Sequence, residues 1–220
     1  MHQPTVEFLF DFGSPNAYFC HQVLPAIAAR TGQPVTYVPI LLGGIFKLAN
    51  NRSPMEAFAD IPTKRAYDQL EIQRFIRKHD LHRYQRNPHF PVNTLMMMRG
   101  AIAAQQMGCL DPYVDAMFAS MWERALNMAE PELFQSVLQQ AGLDAAAITA
   151  AIATPEVKNQ LLANTQQAYE RGCFGSPTFF VGGEMFFGKD RLREVEEEIL
   201  AQRSGSWRPA PPATPSLPRP

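Results

Sequence analysis

The chain has 220 residues, is 46% hydrophobic and carries a formal net charge of −1, enough apolar material for a sizeable core in one or two domains. Without a basic block, nothing points to nucleic acid or an anionic membrane surface, and no apolar run approaches the roughly 20 residues of a membrane span. The cysteines, Cys20, Cys109 and Cys173, are an odd number in a mid-sized chain, which argues against a disulfide framework and for a reducing cytoplasm.

Met1-His2-Gln3-Pro4-Thr5 lacks the charge and apolar stretch expected of a signal peptide. Val6-Glu7-Phe8-Leu9-Phe10 reads as a first strand. A helix follows from Pro15, with Ser14 as its natural cap and Val23, Leu24, Ile27 and Ala28 on an apolar face. Pro25 removes one backbone hydrogen bond inside it and predicts a kink. Thr31-Gly32 ends the helix, and residues 34–40 form a second strand, completing a β-α-β unit with a parallel pair. Helical patterns then cover 67–78, 93–107, 111–128, 131–141, 144–151 and 156–171, with Asn93, Asp111, Gly108 and Gly142 as caps or breakers. Residues 176–181 return to strand character, Gly182-Gly183 signals a hairpin, and Glu184-Met185-Phe186-Phe187 pairs back. A final helix spans 191–202. Residues 204–220 are Pro-rich with little apolar content and predict a disordered tail.

This order, β-α-β, then helices, then β-β-α, is the thioredoxin layout with a large all-helical insertion. It places a thioredoxin-like domain at 1–43 and 172–203 and the insertion at 44–171. In thiol-disulfide proteins the strand-to-helix corner after the first strand carries Cys-x-x-Cys. Here the residues are Ser14-Pro15-Asn16-Ala17, with no sulfur. A helix N-terminus suited to a thiolate therefore lacks a thiol of its own, and the sulfur is expected on a bound molecule. Downstream, Ser176-Pro177 opens a strand. In this layout that proline is cis and exposes the Ser176 backbone to a ligand's peptide group. Gly188 lets a ligand approach the backbone, the helix start after it can receive a carboxylate, and Asp190 can take an ammonium.

The whole pattern resembles the 2-hydroxychromene-2-carboxylate isomerases and the kappa-class glutathione transferases. The resemblance runs from about Val6 to Gln202. It is carried by Phe10-Asp11-Phe12-Gly13-Ser14-Pro15, Asn51-Arg52-Ser53-Pro54 with Lys64 downstream, Phe90-Pro91-Val92-Asn93-Thr94, Phe174-Gly175-Ser176-Pro177-Thr178 and Phe186-Phe187-Gly188-Lys189-Asp190-Arg191. The resemblance implies bound glutathione, a small aromatic carboxylate substrate, a homodimer, and a catalytic serine near the glutathione sulfur, matching Ser14. It further implies glutathione contacts at Asn51 (with Asn50 beside it), Lys64, Ser176, Pro177, Gly188, Lys189 and Asp190. Kappa-class transferases have Ser where this chain has Lys189. Among Lys47, Arg86, Asn93 and Arg99, Asn93 is the best partner for a substrate carboxylate, or else it caps its helix. The implied reaction is a cis–trans isomerisation in aromatic degradation. The alternatives are a kappa-like transferase or peroxidase, or a non-catalytic glutathione-binding module.

A glutathione thiol with a pKa of about 8.5 is only ~3% ionised at pH 7. A helix dipole worth ~0.3–1 kcal/mol cannot supply the roughly 2.7 kcal/mol of a two-unit shift, so the Ser14 hydroxyl must contribute. Tyr18 is expected in the core, Met96 to Met98 in the core or a pocket wall, and Cys173 as a small buried filler. His79 and His82 read as a solvated helix end.

Overall fold

The computed structural model describes residues 4–205; the expected tail beyond 205 lies outside them. A four-stranded sheet has the order β2-β1-β3-β4, built from β1 (Val6–Phe10), β2 (Thr36–Pro39), β3 (Thr178–Val181) and β4 (Glu184–Phe187). β1 runs parallel to β2, with Glu7 opposite Thr36 and Phe10 opposite Pro39, and antiparallel to β3, with Val6 opposite Val181. β3 and β4 form the expected hairpin, Gly182 taking a φ of 58° at its turn. Pro39 sits on an edge strand, where a missing N–H costs no central ladder bond.

Alternate side chains of β1 and β3 enter opposite faces, as the strand period requires. Phe8, Phe10, Phe179 and Val181 join the main core, while Leu9 and Phe180 join a smaller one with Ile40, Ile45, Ala168 and Cys173. α1 (Pro15–Thr31) and α10 (Leu192–Ser204) cover the first face. α1 continues through Pro25 and closes on Gly32 at φ 63°.

Between β2 and β3 lie α2 (Leu42–Leu48), α3 (Pro54–Ala57), α4 (Pro62–His79), α5 (Leu95–Gln106), α6 (Leu110–Trp122), α7 (Pro131–Gln140), α8 (Ala145–Ala151) and α9 (Pro155–Glu170). Their core is continuous with that of the sheet: Phe10 and Phe12 pack on Phe118 of α6 with ring centroids 5.8 and 4.8 Å apart. α2 and α3 have no counterpart in the sequence reading. Each is two turns or fewer, too short for a helical period to register, and Gly43-Gly44 weakens α2 further. α6 ends at Trp122, not near Met128. Ala125 turns the chain at φ 53°, and the buried Asn87 amide donates to the carbonyls of Met121 (3.0 Å) and Leu126 (2.8 Å), satisfying groups that a longer helix would have used. The second and third strands are also shorter than the sequence suggests.

Candidate active site

The corner after β1 is a tight turn. Ser14 N–H donates to Asp11 O at 3.0 Å, and Gly13 N–H donates to Asp11 Oδ1 at 2.8 Å. From the insertion, Trp122 Nε1 donates to Phe12 O at 2.8 Å. Ser14 has the extended backbone of an N-cap, and its Oγ accepts the Ala17 N–H at 3.2 Å. The first turn of α1 has no acidic residue.

The Ser14 hydroxyl is 5% exposed and donates to Ser176 O at 2.9 Å. The Ser176–Pro177 bond is cis, as is Phe90–Pro91. The corner and the cis-proline loop, 162 residues apart in sequence, are thus joined by a single hydroxyl. Pro177 O in turn accepts the Gly188 N–H at 3.0 Å. Asn51 reaches the same loop, its Nδ2 donating to Phe174 O at 2.9 Å, while Asn50 makes the turn at φ 48°. Beneath the loop, Gly175 O accepts from the Thr178 hydroxyl at 2.8 Å and the Cys173 thiol at 3.1 Å. Ser14, Asn51, Ser176, Pro177 and Gly188 therefore form one connected set.

Lys189 and Asp190 follow Gly188 but turn toward α4. Lys189 is buried, with Nζ 2.5 Å from Asp190 Oδ1 and 5.1 Å from the centre of the Phe75 ring. Both line a cavity of about 420 Å³ between the later half of α1, α4 and α10, with Val23, Ile27, Phe75 and Leu192 among its apolar walls. Val23 is nine residues beyond Ser14, roughly 13 Å along the helix at 1.5 Å per residue. Ser14 is not among the residues that line that cavity. Lys64 pairs with Asp68 one turn on and lies 5.0 Å over the Phe58 ring. Asn93 is exposed, and its Oδ1 accepts the Leu95 N–H at 3.0 Å, the capping use of that side chain. No hydrogen bond joins Lys64 or Asn93 to the connected set.

Sequence reasoning passed over Asp11, which is 1% exposed. Besides Gly13, its carboxylate accepts the Leu42 N–H at 2.8 Å, and the Thr94 side chain faces it. Burial pushes this carboxyl above its ordinary pKa, while the Leu42 and Gly13 N–H groups and the nearby Thr94 side chain pull the other way. The available signal was an acid flanked by Phe10 and Phe12. Burial also raises the Cys20 and Cys173 thiols, so both resist ionisation. Tyr18 is in the core, donating its hydroxyl to Glu123 Oε1 at 3.1 Å.

The profile of the DsbA-like thioredoxin domain matches residues 5–200. The chain belongs to the DsbA-like thioredoxin family. Within it, this family member is 27% identical over 198 residues to a 2-hydroxychromene-2-carboxylate isomerase of Sphingobium xenophagum, covering 89% of this chain and 98% of that one. It is 29% identical to human glutathione S-transferase kappa 1, covering 95% of each. A solved 2-hydroxychromene-2-carboxylate isomerase superposes with a TM-score of 0.75 at 26% identity, over 93% of this chain and all of that one. The relatives are enzymes, isomerases and glutathione transferases. No helix among the described residues is long and apolar enough to cross a membrane.

Proposed function

We propose that the protein is a glutathione-dependent cis–trans isomerase interconverting 2-hydroxychromene-2-carboxylate and trans-o-hydroxybenzylidenepyruvate in aromatic hydrocarbon degradation, working as a cytoplasmic homodimer. The observation that carries the proposal is the Ser14 hydroxyl, buried at the N-terminus of α1 and facing the cis-proline loop, at a corner whose Ser14-Pro15-Asn16-Ala17 carries no cysteine. Similarity to named isomerases supports the choice of reaction.

The residues fit glutathione. Ser176 Oγ is buried with no hydrogen-bond partner among the described residues, the kind of orphan that a peptide ligand satisfies. A Cβ on Gly188 would meet nothing within 4 Å, so its backbone is open to close approach. Ser14, Asn51, Ser176, Pro177 and Gly188 would hold the tripeptide, with Lys64, Lys189 and Asp190 toward its charged ends. The Lys189–Asp190 pair would have to open for Asp190 to take an ammonium.

When bound, glutathione supplies a thiol whose reversible addition to the conjugated system turns the double bond into a rotatable single bond. The chain's part is to hold that sulfur as the anion. To donate to sulfur, the Ser14 hydroxyl must leave Ser176 O, giving up about 0.5–1.5 kcal/mol to gain about 1.5–3 kcal/mol at a charged acceptor. Adding ~0.3–1 kcal/mol from the dipole gives a shift on the order of one to two pKa units. That brings a thiol near 8.5 to around 7, enough for a large thiolate fraction without the loss of nucleophilicity that follows a deeper shift.

The test is a spectrophotometric assay on 2-hydroxychromene-2-carboxylate with and without catalytic glutathione. Isomerisation that needs glutathione but does not consume it supports the proposal; turnover independent of glutathione rejects it. A stoichiometric conjugate would favour a kappa-like transferase, the reading that similarity to the human kappa enzyme supports. Binding without turnover would favour a glutathione-binding module.

A further inference from the structure

Four groups converge on the Asp11 carboxylate or its carbonyl, and they come from separate parts of the chain. Oδ1 takes the Gly13 N–H and Oδ2 the Leu42 N–H, each at 2.8 Å. The Thr94 side chain faces the same carboxylate, and Asp11 O takes the Ser14 N–H at 3.0 Å. Asp11 thus receives both amides of the turn that presents Ser14. It also holds the first residue of α2 and faces the residue before α5. Gly13 is clamped in between: a Cβ there would lie 3.1 Å from Thr94 Cγ2 and 3.3 Å from Asp11 Oδ1.

A buried carboxylate is costly unless its oxygens are hydrogen-bonded, and an apolar side chain could fill the volume more cheaply. What an apolar residue could not do is accept the Gly13 N–H, and so hold the rotation of the Phe12–Gly13 peptide that leads into Ser14. We propose that Asp11 is a positioning residue for Ser14. Its Gly13 bond aims the hydroxyl at the sulfur site, and its Leu42 bond fixes that aim relative to the helical insertion. The Ser14 part rests on the function proposed above.

Two substitutions separate the bonds. Asp11→Asn keeps one carbonyl oxygen for Gly13 and presents an NH₂ to the Leu42 N–H, so the turn survives and the α2 tie is lost. Asp11→Ala loses both. Leu42→Pro removes only the α2 tie, at the first helical position, where proline is accommodated. Asp11→Ala should raise the pKa of bound glutathione, read from thiolate absorbance, by about one unit and lower kcat about tenfold, with KM changed less than about twofold. Asp11→Asn and Leu42→Pro should lose stability in urea yet keep kcat within about threefold of the parent and the parent thiol titration. Activity that follows stability equally in all three variants would overturn the proposal, as would a parent-like thiol titration in Asp11→Ala.

Amide hydrogen exchange without ligand gives a readout independent of turnover. The Gly13 amide should exchange faster in Asp11→Ala than in Asp11→Asn, and equal rates would overturn the positioning role whether or not glutathione binds. If Asp11→Ala does not fold, the parent protein decides: its Gly13 amide should be protected, and free exchange there rejects the Asp11 clamp. Absence of glutathione binding to the parent would instead count against the proposed function alone.

Discussion

The hydroxyl of Ser14 has two partners, the Ala17 N–H and Ser176 O, and any donation to sulfur must displace the second. Ser14→Ala should therefore lower glutathione-dependent kcat about tenfold and cost about 1 kcal/mol as a lost cap. Steady-state rates and urea unfolding check the two effects separately. Asp11 gives a pH prediction with a definite sign. Burial raises its folded pKa above the unfolded value of about 3.9, so the folded state binds more protons between the two values. Stability contributed at this residue is greatest at low pH and falls as pH rises from about 4 through the folded pKa. The parent's urea stability relative to Asp11→Asn should decline over that window; a difference independent of pH would reject the assignment.

At the scale of elements, the site depends on how short segments are pinned to one another. Asn51 at the end of α2 holds the cis-proline loop through Phe174 O. Asn51→Ala should weaken glutathione binding several-fold, by about 1 kcal/mol in calorimetry, with a smaller effect on Tm because the residue is exposed. The α5–α6 contact behaves differently. A Cβ on Gly100 would sit 2.1 Å from the Tyr113 hydroxyl, which is buried and donates to Met97 O at 2.7 Å. Neither partner can give way cheaply, so Gly100→Ala should destabilise by about 1–3 kcal/mol, measured by thermal or urea unfolding. The long helices α1 and α9 were legible because caps and helical periods agreed over many residues, and β1 because its apolar run ends at a helix cap. α2 and α3 were not, since a helix of two turns owes its existence to its neighbours. α2 begins on Asp11, an acceptor 31 positions earlier, which no local pattern can reveal.

Across the whole molecule, the sheet and the helical insertion share a core, and Trp122 joins them by donating to Phe12 O. We expect a single cooperative unfolding transition, with far-ultraviolet dichroism and Trp122 fluorescence coincident in a Trp207→Phe background. Separated midpoints would mean two independently folding units. The sequence alone determined the order of strands and long helices, the absence of cysteine at the corner, and the candidate hydroxyl at position 14, because strand alternation, helical period and capping chemistry are local. Tertiary structure alone decided that this hydroxyl donates to Ser176 O, that Asn51 rather than Asn50 reaches the cis-proline loop, that Lys189 and Asp190 pair toward α4, and that Asp11 anchors the turn. Each of those is a hydrogen bond or ion pair whose geometry depends on packing between elements or on burial, and a one-dimensional pattern records neither.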